Sequence, residues 1–75
     1  MGEAQSSRRG RAVSVAEIQK GAQFKRTIHG KAGEWELVGK MQTSKGSYGV
    51  TARHLGDGET ETFVLGPKGS LWVIE

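Results

Sequence analysis

Residues 48–65, YGVTARHLGDGETETFVL, decide the fold class of this chain. Residues 48–53 alternate apolar with small or polar side chains, and this period of two is typical of a strand with one buried face. The Gly-Asp-Gly triplet at 56–58 is typical of a tight hairpin turn, because glycine adopts positive φ angles without steric cost. Phe63 and Leu65 then continue the buried face on a second strand. The segment therefore predicts an antiparallel β-hairpin.

Three further segments alternate in the same way. They are residues 22–29, 34–42 and 71–75, and turns or loops that contain glycine separate them from their neighbours. Five short strands at this spacing favour a small antiparallel barrel, since closure removes exposed strand edges. We therefore predict a mainly all-β fold, a small five-stranded barrel of SH3-like type as the first choice and of OB-like type as the second.

The segment 34–42 is the longest of these strands and carries an irregularity. Alternation places Trp35, Leu37 and Met41 together on the inner face. Gly39 interrupts the pattern, and a glycine inside a strand indicates a bulge or a sharp bend.

A helix signal precedes the strands. Ser14 and Glu17 have the S-x-x-E spacing of a capping box, and Val15 and Ile18 lie three residues apart on one face. Gly21 suits the left-handed position that ends a helix. These residues predict one short N-terminal helix of about two turns, which would need to pack against the β structure to be stable.

The first twelve residues, MGEAQSSRRGRA, are small, polar and basic. They hold three arginines against Glu3, a charge of 3 − 1 = +2, whereas residues 13–75 hold 8 − 7 = +1. We therefore predict a flexible basic arm over residues 1–12 and a small β-barrel domain over residues 13–75. Most of the positive charge would then lie in the arm.

Composition argues against several other classes of protein. The chain has no cysteine, which excludes disulfides and thiolate metal sites, and no apolar run long enough to span a membrane. No hydrophobic segment follows the N-terminal charges, so a secretory signal is not expected and a cytoplasmic location is predicted. His29 and His54 lack the neighbouring carboxylates of a metal site, and Glu59 and Glu61 fit a solvated strand edge. We expect no catalytic activity, no metal and no cofactor.

The segment Lys45-Gly46-Ser47-Tyr48-Gly49-Val50 is a candidate for nucleic-acid binding. Its basic-glycine-aromatic-glycine-aliphatic order resembles, over six residues, the nucleic-acid-binding strand of cold-shock and RNA-recognition domains, where aromatic rings stack on bases. The alternative for Tyr48 is a packed residue with its hydroxyl near the surface, because alternation places it on the inner face.

A second resemblance concerns the fold. Trp35, Val38-Gly39 and Tyr48-Gly49-Val50 are spaced similarly to residues of the small plasmid-type dihydrofolate reductases, which have SH3-like chains of comparable length. The Val-Gln-Ile-Tyr active-site strand of that family has its nearest counterpart at 61–64, Glu-Thr-Phe-Val. No catalytic residue is therefore carried over.

The preferred functional hypothesis is a small non-catalytic module that binds DNA or RNA largely without sequence preference. Flexible arginines and surface lysines would contact phosphates and release counterions. The alternative is a protein-interaction or homo-oligomeric assembly module that uses Trp72, Ile74 and a strand edge. The predicted nucleic-acid contacts are Arg8, Arg9, Arg11, Lys25, Arg26, Lys40, Lys45, Tyr48 and Arg53.

Overall fold

A computed structural model of the chain describes residues 10–74, which form six antiparallel strands in one sheet. The strand order is β1-β6-β2-β3-β4-β5, so β1 and β5 are the edges. The prediction of an all-β fold is therefore confirmed. The strands are β1 (Gly10–Ser14), β2 (Gln23–Ile28), β3 (Lys31–Gln42), β4 (Tyr48–His54), β5 (Thr60–Leu65) and β6 (Ser70–Ile74).

Two parts of the predicted architecture differ from the structure. The sheet has six strands instead of five and is not closed, since no ladder joins β1 to β5 among residues 10–74. The additional strand is β1, which pairs with β6 from Gly10↔Ile74 to Ser14↔Ser70. Residues 10–12, which the sequence assigned to the arm, therefore belong to the sheet, and residues 1–9 of the arm lie outside the described residues.

The predicted helix after Ser14 is wrong, because the described part of the chain contains no helix. The carbonyl of Ser14 accepts bonds from the amides of Glu17 and Ile18, which makes a single turn, and its hydroxyl faces the Ala16 amide. The next turn does not form because Gly21 instead donates to the Leu37 carbonyl of β3. Isolated short helices are marginal, so bonds to the sheet prevail over local propensity.

A bulge in β3 reverses the alternation of its second half. The β3–β4 register shifts between Leu37 and Gly39, as the glycine indicated. The extra residue places Lys40 opposite the buried Val50, on the inner face, while Met41 turns outward and is 75% exposed. The predicted inward orientation of Met41 is therefore wrong.

The core is apolar and is formed by residues from the strands and from the turn after β1. Trp35 is fully buried, and its indole Nε1 donates a 2.9 Å hydrogen bond to the Arg26 carbonyl. This bond satisfies the one polar atom of the side chain. The buried residues are Val15, Ile18, Phe24, Ile28, Trp35, Leu37, Val50, Ala52 and Leu71.

His54 links the core to the β4–β5 turn. Its ring lies 4.8 Å from that of Trp35 in an edge-on arrangement, and its Nε2 lies 3.1 Å from the Ala32 carbonyl. The amides of Gly56 and Asp57 donate to Nδ1. Only 15% of the His54 side chain is accessible.

Side chains bridge the open side of the sheet. The rings of Phe24 in β2 and Phe63 in β5 lie 6.3 Å apart, and the guanidinium of Arg26 stacks 5.0 Å above Phe63. His29, in the tight β2–β3 turn, places Nε2 2.8 Å from the Thr62 carbonyl. The sheet therefore curls until β5 approaches β2 without backbone pairing between them.

Candidate nucleic-acid interface

The predicted nucleic-acid contacts do not form one continuous surface. Arg8 and Arg9 lie outside the described residues. Arg53 pairs with Glu36 at 2.5 Å on the outer face of the sheet, and the guanidinium of Arg26 stacks over the Phe63 ring. Tyr48 is half-buried and packs against the core, which fits the alternative stated for it.

The remaining predicted cations are distributed over different elements. Lys25 is exposed on the outer face, in register with Glu34 on one side and Trp72 on the other. Arg11 is exposed on the edge strand β1, opposite Val73. Lys45 lies in the β3–β4 loop and Lys40 on β3, and these two belong to the cluster described next.

Three loops that are distant in sequence are joined by contacts through the third of them. They are residues 15–22, 43–47 and 66–69, and we call them the lysine loops. The Val15 amide donates to the Gly69 carbonyl at 2.9 Å, which joins the first loop to the third. A side chain added at Gly46 would touch Pro67 at 4.0 Å, so the second loop lies against the third.

Positive charge is concentrated on these loops. Lys20, Lys45 and Lys68 contribute one cation from each loop, and Glu17 is the one acid among their residues. All three lysines are exposed. Sequence reasoning did not select Lys20 or Lys68, because each is a lone lysine beside a glycine, and only the contacts between the loops relate them.

Lys40 holds the first lysine loop against β3. Its ammonium donates to the carbonyls of Val15 and Ala16 at 2.9 and 2.8 Å, and it lies 5.7 Å from the centre of the Tyr48 ring. The bulge makes this possible, because it turns Lys40 to the inner side. Lys40 thus positions the first lysine loop, and its ammonium already donates hydrogen bonds to the two carbonyls.

Removal of this ammonium is expected to loosen the first loop. Lys40→Met keeps most of the side-chain length but leaves the Val15 and Ala16 carbonyls without their donor, which costs about 1–2 kcal/mol. Hydrogen exchange should then be faster for the amides of residues 15–22, Gly21 included. Lys45→Met, at an exposed loop position, is the control and should change neither stability nor exchange; equal effects of the two variants would contradict this role.

The opposite end of β4 is acidic. β4 runs from Tyr48, beside the second lysine loop, to His54, and seven residues of strand span about 20 Å. Beyond His54, Asp57 pairs with Lys31 at 2.6 Å. This hydrogen-bonded pair lowers the pKa of Asp57 and raises that of Lys31, and the charges of Glu59 and Glu61 also favour the protonated lysine. Charge is therefore separated along the strand.

The residues predicted for a protein interface lie on β6. Trp72 is 51% exposed on the outer face between Ala12 and Lys25, while Ile74 is half-buried. The indole of Trp72 covers Gly10, where a Cβ would overlap the ring. Part of the surface of this tryptophan is therefore exposed, and the rest covers Gly10.

Within residues 10–74, no group of three or more histidine, aspartate or glutamate side chains could hold a metal ion. The same residues contain no helix that is long and apolar enough to cross a membrane. No family model matches the chain, and comparison with curated proteins and with solved structures gives no match.

Proposed function

We propose that this protein is a small nucleic-acid-binding module whose main contact surface is the lysine loops. The observation that carries the proposal is the meeting of three loops with three exposed lysines and a single acid. Lysines on adjoining loops suit the regular spacing of phosphates along a strand, and their ammonium groups bind phosphate as point charges. The loops contain no constellation that would read a base sequence, so binding would depend on the backbone.

The arrangement of charge favours one orientation of the ligand. A polyanion would be attracted to the lysine loops and repelled by the turn that carries Asp57 and Glu59. Tyr48 is half-buried at the start of β4 beside the second loop, and we include the stacking of a base on its accessible part in the proposal. Arg8 and Arg9 would add further phosphate contacts from the arm.

The proposal includes an SH3-like arrangement of strands. The order β6-β2-β3-β4-β5 supports it, because four consecutive strands form a meander and the last strand of the chain lies beside β2. The contact between Phe24 and Phe63 supports it further, since a curled sheet brings the two sides of a partly open barrel together. β1 would then be an addition at the free edge of β6.

The proposal is tested with the triple variant Lys20→Gln/Lys45→Gln/Lys68→Gln. Binding to labelled single-stranded DNA, RNA and duplex DNA is measured by fluorescence anisotropy at several salt concentrations. We expect affinity for single strands at low salt to fall about tenfold or more. The slope of log Kd against log salt should decrease by about 2, since each lost phosphate contact removes about 0.7.

A second triple variant controls for net charge. Lys25→Gln/Lys31→Gln/Arg53→Gln also removes three positive charges, but from the sheet face and the acidic end. Circular dichroism verifies that both triple variants are folded. This control should keep most of the affinity. Equal losses in the two variants would contradict the lysine loops as the site, and no binding by the natural chain at low salt would reject the function.

The alternative, a protein-interaction module, has one observation in its favour, which is the half-exposed Trp72. Exposed tryptophans are frequent anchors of protein interfaces. Deletion of residues 1–9 distinguishes the two functions, since it should weaken nucleic-acid binding but leave a contact through Trp72 unchanged. A deletion to residue 12 would be a poor test, because it also removes most of β1.

A further inference from the structure

The edge strand β5 has an open hydrogen-bonding side. The His54 amide donates to the Glu59 carbonyl, so His54 and Glu59 form a hydrogen-bonded pair at the end of the β4–β5 ladder. Because bonded and non-bonded pairs alternate in antiparallel sheets, Glu61, Phe63 and Leu65 bond to β4. The backbone groups of the intervening residues Thr60, Thr62 and Val64 consequently point away from the sheet.

One group partly covers this edge. The imidazole of His29 reaches the Thr62 carbonyl at 2.8 Å. No other hydrogen bond in the described part of the chain reaches the outward groups of Thr60, Thr62 or Val64. His29 therefore shields only the centre of the edge.

The composition of β5 protects it against pairing only through Glu61. Natural edge strands carry lysine, proline or bulges, and Thr60-Glu61-Thr62-Phe63-Val64-Leu65 contains none of these. Four of its six residues are β-branched or aromatic, and Glu61 is its single charge. The other edge, β1, is different, because Gly10 and Ala12 are poor strand formers and Arg11 is charged.

Two rows of the outer surface beside this edge are uncharged, and the next row holds the Arg53–Glu36 ion pair beside Thr60. Met41, Gly49 and Val64 form one row across three strands, and Gly39, Thr51 and Thr62 form the next. Met41 and Val64 are 75% and 69% exposed, and the glycines leave a shallow groove of about 380 Å³ between the strands. A partner strand at the edge would cover Val64 without burying a charge.

We propose that β5 pairs with β5 of a second copy of this chain, antiparallel and centred on Thr62, with the His29 imidazole displaced from the Thr62 carbonyl. In this register Thr62 faces its own counterpart and Thr60 faces the partner's Val64, so the outward backbone groups bond to one another. Glu61 then lies opposite Phe63 of the other copy, and the two glutamates are not opposed. The strand is thus complementary to itself, and the sheet continues across two molecules.

Sedimentation equilibrium of the full chain, from micromolar to millimolar concentration, tests this proposal. We expect a concentration-dependent dimer of twice the 8.1 kDa chain mass. Val64→Lys should keep the protein monomeric throughout, because a lysine would protrude at the pairing edge. Val38→Lys is the matched control, since Val38 is also an exposed valine but lies at the β3 bulge. It should dimerise like the natural chain.

Two further variants test the hydrogen bonds themselves. Thr62→Pro removes an outward amide that β4 does not use, so the fold is kept and dimerisation should weaken at least about tenfold. His29→Asn retains a residue that tolerates the turn's φ of 51° but removes the imidazole from the edge, and it should strengthen dimerisation.

The proposal is overturned by a natural chain that stays monomeric at the highest concentration, or by Val64→Lys and Val38→Lys behaving alike. It is equally overturned if Thr62→Pro leaves the dimer unchanged or if His29→Asn weakens it. The triple lysine variant should dimerise normally, so failure of nucleic-acid binding and failure of self-association are distinguishable.

Discussion

Trp35→Ala is expected to leave little folded protein at 25 °C. Removal of a fully buried tryptophan costs about 3–5 kcal/mol, whereas a domain of this size has a total stability of about 3–10 kcal/mol. The indole fills the core beside His54 and also satisfies the Arg26 carbonyl, so the variant loses packing and a hydrogen bond together. Far-ultraviolet circular dichroism, followed as a thermal melt, measures the effect.

Two variants make this result interpretable. Trp35→Phe keeps most of the volume and loses the Nε1 donor, and we expect a loss of about 1–3 kcal/mol from the unsatisfied carbonyl. Trp72→Ala is the matched control for removal of a tryptophan, because Trp72 is half-exposed on the outer face. A melting temperature for Trp35→Ala that equals that of Trp72→Ala would contradict the central role of Trp35 in the core.

Gly33→Ala is expected to destabilise the fold by about 2–4 kcal/mol. Gly33 lies within β3 at φ 145°, where a side chain is strained, and a Cβ there would lie 2.5 Å from Nε2 of His54. Backbone strain and overpacking each cost about 1–3 kcal/mol. The imidazole has little freedom to move, because Trp35, the Ala32 carbonyl and the Gly56 amide all contact it. The midpoint of urea unfolding, followed by tryptophan fluorescence, measures the loss.

A double-mutant cycle separates the two contributions. In a His54→Ala background the clash is absent, so Gly33→Ala should cost only the backbone strain. Gly39→Ala is the control at a glycine of the same strand, since its Cβ would enter open space, and we expect a change of less than about 1 kcal/mol. Equal tolerance of alanine at Gly33 and Gly39 would contradict the structural role proposed for Gly33.

Local patterns in the sequence predict much of this fold. Alternation identified five of the six strands and placed Val50 and Ala52 in the core, because a half-buried strand has a buried side chain at every second residue. The same rule failed beyond Gly39. The glycine indicates a bulge, but alternation alone does not reveal how many residues the bulge inserts, so the inward position passes from Met41 to Lys40.

Other features depend on contacts between segments that are far apart in sequence. The Ser14 capping box is a valid local helix signal, and its effect is limited by bonds such as that from Gly21 to Leu37. The candidate interface also depends on contacts between segments that are far apart in sequence. Lys20 and Lys68 carry no motif, and their loops are related only by the bond from the Val15 amide to the Gly69 carbonyl.

The separation of charge along β4 gives residues 10–74 an electric dipole moment that the net charge of +3 does not reveal. In the field of a polyanion, such a molecule experiences a torque as well as an attraction. Under the proposed function, it would therefore rotate during approach, so that the lysine-bearing end would arrive first and a larger share of collisions would be productive. Dissolved ions screen this torque over about 10 Å at 0.1 M ionic strength. The torque that orients the molecule during encounter is thus strongest at low salt, and it is separate from the strength of the final contacts.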